Sequence, residues 1–122
     1  MTYEEILDFA RGLLNAVADK PFEGDFESTV LRHADTGKWF GILMRVSPRR
    51  LGLLGEEPTW ILNLKCDPEE GFNLRDSFSG ILPAYHMNKL HWLTVLPAAD
   101  VPEELIRDLI RSSYALTDKR RK

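Results

Sequence analysis

Apolar residues recur at helical spacing from the start of the chain. Ile6, Phe9, Ala10, Leu13, Leu14 and Val17 fall on one stripe, which predicts an amphipathic helix. Thr2 followed by Glu5 reads as a capping box, and Glu4, Glu5 and Asp8 suit the positive end of the helix dipole. Asp19-Lys20-Pro21 ends the helix, because proline disfavours helical geometry in the residue before it. The period then changes to two. A strand over 26–33, the turn Ala34-Asp35-Thr36-Gly37 and a second strand over 38–46 make a hairpin. Phe40, Ile42, Met44 and Val46 alternate onto one face of that second strand, with Trp39, Leu43 and Arg45 on the other.

Two prolines and two glycines mark 47–58 as a loop, with leucines that can pin it to the body. A third strand spans 59–66, with Trp60, Leu62, Leu64 and Cys66 on one side. Asp67 is an N-cap and Pro68 a first helical residue for a short helix, which Gly71 weakens. Residues 79–90 lead into a strand over 91–96. A second strong helix follows, with Asp100 and Glu103 as a capping-box pattern, Pro102 in its first turn, and Leu105, Ile106, Leu109 and Ile110 as its buried stripe. Strands joined by tight turns, with one-faced helices at both ends, predict an α+β two-layer sandwich. Its antiparallel sheet carries the N- and C-terminal helices on one face.

Length and composition fit one soluble domain over 1–118 with a basic tail, Lys119-Arg120-Arg121-Lys122. No window is apolar enough to span a membrane, and the acidic N-terminus lacks the basic start of a secretory signal. The single cysteine, Cys66, excludes an internal disulfide and reads as a small core residue. A cytoplasmic location fits these features. The net charge of −3 rests on an acidic first quarter, and an acidic body is a poor generic polyanion binder. Any nucleic-acid contact therefore has to come from a local basic face.

One such face is the hairpin. Arg32, Lys38, Arg45, Arg49 and Arg50 lie close in sequence with Asp35 as their only acid, and would contact phosphates if they converged. They share a surface only if strand register permits. Trp39 or Phe40 could stack on single-stranded bases, although core packing suits both. The other candidate is Tyr85-His86-Met87-Asn88-Lys89-Leu90-His91-Trp92. His86 and His91, even with His33, are a weak metal set, since catalytic zinc sites use three protein ligands. The plainer reading is a turn at Asn88-Lys89, with the histidines hydrogen-bonding irregular backbone, Trp92 packed on a helix, and Lys89 free at the tip. No nucleotide-binding loop, serine elbow or zinc-protease motif occurs. Neither a catalytic constellation nor a cofactor is predicted.

The second half of the chain resembles the MmcQ/YjbR family of small bacterial proteins. The resemblance rests on a histidine, an asparagine-lysine pair and a histidine-tryptophan pair, here His86, Asn88-Lys89 and His91-Trp92, and on Ser113-Tyr114 in the last helix. Gly37-Lys38-Trp39-Phe40-Gly41-Ile42-Leu43 resembles the family's shorter lysine-aromatic strand motif. The resemblance implies a two-layer sandwich compared with double-wing DNA-binding domains, and no established catalysis. DNA binding through the basic hairpin and Lys89 is the expected function. A small-molecule or protein-binding role around Tyr85, His86, His91 and Trp92 is the alternative.

Overall fold

The computed structural model describes residues 1–118; the basic tail lies outside them. Thr2 opens the first helix, α1 (Tyr3–Arg11), and the reciprocal capping box with Glu5 is formed. The helix stops at Gly12, well before the expected end. Asn15 then takes a left-handed conformation, φ 59°, and Ala16–Asp19 forms strand β1. The apolar stripe continued past a break: Gly12 and Asn15 end the helix, while Leu13, Ala16 and Ala18 pack against the core from non-helical backbone.

The remaining elements are β2 (Thr29–His33), β3 (Trp39–Val46), a 3₁₀ turn (Pro48–Leu51), β4 (Thr59–Lys65), α2 (Pro68–Ser77), β5 (Ile81–Pro83), β6 (Trp92–Val95) and α3 (Glu103–Thr117). The sheet order is β1-β2-β3-β4-β6-β5, with every pair antiparallel. β2 begins at Thr29 rather than 26. Asp25 accepts hydrogen bonds from the Glu27 and Ser28 amides, and this local turn leaves Phe26 exposed. Asp100 does not cap α3, whose N-cap is Pro102 without a side-chain bond. Its carboxylate instead accepts from the Ser79 and Gly80 amides at 3.0 and 2.7 Å, fixing the entry to β5.

All three helices pack on one face of the sheet. Ile6 and Ala10 from α1, and Ile106, Leu109 and Ile110 from α3, join Leu31, Leu43, Leu62, Leu64, Leu93 and Val95 in one buried cluster, with Leu74 of α2 against it. Cys66 belongs to that cluster, and burial pushes its thiol pKa up. Phe40 belongs to it as well, contrary to simple alternation. Leu31 pairs with Gly41 and Arg32 with Trp39, so Phe40 is the extra residue of a bulge. That bulge sends Phe40 to the helix side. Trp39 goes to the opposite face, beside Ile42 and Met44. Ser113 of α3 ties the bulge down. Its hydroxyl donates to the Phe40 carbonyl and accepts from the Lys65 amide.

A candidate ligand cleft on the helix-free face

Val30, Ile42 and Ile61 are buried but stand outside the helix-side cluster. Strand alternation puts them on the other face of the sheet. Two segments outside the α-helices cover that face: the 3₁₀ turn after β3 and the stretch between β5 and β6. The second contains the histidine-rich motif.

The anchor of this stretch is a polar pair on adjacent strands. Asn63 of β4 and Thr94 of β6 are register partners, both fully buried. The Asn63 amide donates to the Tyr85 carbonyl at 2.9 Å, and the Tyr85 amide donates to Thr94 Oγ1 at 2.9 Å. Thr94 Oγ1 in turn donates to Asn63 Oδ1. Both main-chain groups of Tyr85 are thus satisfied by side chains rising from the sheet, without strand pairing. Asn88 closes the far end. Its side-chain oxygen accepts from Leu90 and His91 at 2.9 and 3.0 Å. The Lys89 ammonium is not free at the tip, because it donates to the Ala84 carbonyl across the loop. Asn88 and Lys89, rather than the histidine rings, hold this backbone.

The result is a cleft of about 230 Å³ lined by Phe22, Trp39, Ile42, Met44, Asn63, Tyr85, His86 and Met87. Phe22 meets Trp39 edge-on at 5.9 Å, and the His86 ring lies edge-on to Tyr85 at 4.0 Å. Arg32 stands over the Trp39 ring at 5.9 Å. His86 has φ 58°, a left-handed conformation that is costly for a residue with a Cβ. Its side chain is exposed and hydrogen-bonds no described residue.

The other sequence candidates do not come together here. His33 is buried, bonded to Thr117 and flanked by Phe40 and Tyr114. His91 is exposed at the start of β6, and alternation with Leu93 turns Trp92 to the helix-free side rather than onto a helix. Among the described residues no group of three or more His, Cys, Asp or Glu side chains could hold a metal ion. The hairpin cations do not converge. Arg45 pairs in register with Trp60, which packs on the helix-side core, whereas Arg32 is on the opposite face over Trp39. Arg32 is engaged by Asp19 through two bonds at 2.9 and 3.0 Å, Arg45 by Glu27 at 2.9 Å, and Arg49 by Glu56 at 3.7 Å. Lys38 and Arg50 form no ion pair among the described residues.

Asn63, Thr94 and Phe22 went unnoticed in the sequence. The usable signal was an asparagine inside the apolar run of β4, at a position alternating with core leucines. Such a residue is retained only when its hydrogen bonds are met.

No helix among the described residues is long and apolar enough to cross a membrane. The sequence profile of the family described as YjbR matches residues 11–116. YyaQ of Bacillus subtilis (strain 168) is 39% identical over 117 residues, 96% of this chain and 98% of its own. YjbR of Escherichia coli (strain K12) is 27% identical over 114 residues, covering 93% and 85%. A crystal structure from Pseudomonas syringae superposes with TM-score 0.91 at 36% identity, over 97% of this chain and all of that one. A Deinococcus radiodurans protein with a DUF419 domain gives TM-score 0.76 at 30% identity, over 97% and 79%. The match spans nearly the whole domain, including both segments that cover the helix-free face. The chain belongs to the YjbR family.

Proposed function

We propose that this protein is a non-catalytic binding module whose ligand is a small, flat, largely apolar molecule held between Trp39 and Tyr85-His86. The observation that carries this reading is His86. A histidine is kept in left-handed backbone, with an exposed ring at the mouth of an aromatic cleft, and nothing in the loop's own hydrogen bonding uses that ring. Strain of this kind persists when the surroundings impose it, and it clusters at ligand sites. The cleft's 230 Å³ is below the roughly 300–1,000 Å³ of drug-sized sites, which favours a ligand of one or two fused rings. A ligand-observed NMR screen of aromatic fragments tests this. Hits should bind the native protein and be lost in Trp39→Ala. Fragments that bind both proteins equally, or no hits at all, would count against the cleft.

A second reading is sequence-nonspecific DNA binding through phosphates, and it draws on Lys38 and Arg50, the hairpin cations without an internal carboxylate. It has less support, because Arg32, Arg45 and Arg49 would each have to exchange an acidic partner for a phosphate. A salt titration with random-sequence duplex separates the two readings. Phosphate contacts give a linear fall of log affinity with log salt, and no binding at low salt removes this reading.

A further inference from the structure

We propose that the ligand of the cleft carries one oxyanion, carboxylate or phosphate, and that Arg50 and Lys89 receive it. This rests on the cleft being a binding site. A second depression, about 180 Å³, is lined by Arg50, Leu51, Leu82, Pro83, Ala84, Tyr85 and Lys89. Tyr85 lines both depressions, so they are one residue apart. The second one has two cations and no acidic residue in its lining, in a chain with net charge −3. Arg50 differs from the other arginines of the hairpin region. Arg50 has no carboxylate partner among the described residues, while Arg32, Arg45 and Arg49 each have one. Lys89 spends one proton on the Ala84 carbonyl, which fixes its ammonium in place and leaves two donors. An arginine fork beside an anchored ammonium suits a planar or tetrahedral oxyanion. The apolar ring system would fill the Trp39 side, and the anion would pass Tyr85 to reach Arg50.

Three probes with one ring system test this: 2-naphthamide, 2-naphthoate and 2-naphthyl phosphate, titrated calorimetrically at low salt against the native protein and Arg50→Ala. At least one anion should bind about tenfold tighter than the amide, and Arg50→Ala should abolish that advantage while leaving amide affinity unchanged. The tighter anion identifies carboxylate or phosphate as the natural group. Equal binding of all three, unaltered by Arg50→Ala, overturns the oxyanion subsite and leaves the cleft standing. No binding of any probe overturns both. Arg50 is exposed and holds no ion pair among the described residues, so its loss leaves the fold intact.

Discussion

The buried carboxamide of Asn63 donates to the main-chain carbonyl of Tyr85 at 2.9 Å, across 22 residues of sequence. That bond, with Thr94, fixes the height and direction of the segment that roofs the helix-free face. Removing it leaves the Tyr85 carbonyl and the Thr94 hydroxyl short of partners in a dry environment. Asn63→Ala is expected to cost about 3 kcal/mol in urea unfolding. It should also speed amide exchange at Tyr85 more than at Leu43, because the loop loses its anchor while the helix-side core keeps its contacts.

His86→Gly separates binding from stability. Glycine takes φ 58° without the steric cost that a Cβ brings. The variant should match or exceed native stability by about 1 kcal/mol while fragment affinity falls about tenfold. A purely structural histidine would give unchanged affinity in the same pair of measurements.

Gly71 and Cys66 are coupled across the junction of β4 and α2. A Cβ on Gly71 would sit 2.8 Å from Cys66 Sγ. Helix propensity alone favours Gly71→Ala by about 1 kcal/mol, yet the overlap should make it destabilising by about 1–3 kcal/mol. In a Cys66→Ala background that penalty should shrink by more than half. Thermal melts of the four proteins in this cycle measure the coupling.

Asp100 predicts a pH effect. Burial raises its carboxyl pKa, but the bonds from the Gly80 and Ser79 amides outweigh that and hold it below its ordinary value of 3.8. A carboxyl depressed in the folded state stabilises above its unfolded pKa, and that contribution disappears as pH falls through the folded value. Asp100→Asn should therefore lower the melting temperature at pH 7 and narrow its gap to native below pH 4, read from melts at several pH values.

The helix-side architecture was legible because its signals were local. Thr2 and Glu5 capped α1 as expected, and Leu62, Leu64 and Cys66 faced the core together. The end of α1 was not, because Leu13 and Val17 kept the helical period through a break at Gly12 and Asn15. The exchange of Trp39 and Phe40 between faces was also hidden. It comes from a bulge bound by Ser113, 73 residues away, and no strand pattern encodes such a partner. The candidate site was half visible. The motif around Tyr85 and His86 stood out, whereas its partners Asn63, Thr94 and Phe22 joined it only through sheet register and loop closure. The basic hairpin shows the converse: the pleat puts Arg32 and Arg45 on opposite faces, and Asp19, Glu27 and Glu56 meet three of the five cations.

The most direct measurement is a titration of the ¹⁵N-labelled protein with 2-naphthamide, followed through its amide and indole signals. Binding in the cleft predicts saturable shifts at the Trp39 indole, the Asn63 side-chain amide and the amides of Tyr85, His86 and Met87, with Arg45 and Arg49 unmoved. Shifts clustered on another surface, or a spectrum that does not respond, would contradict a ligand site on the helix-free face.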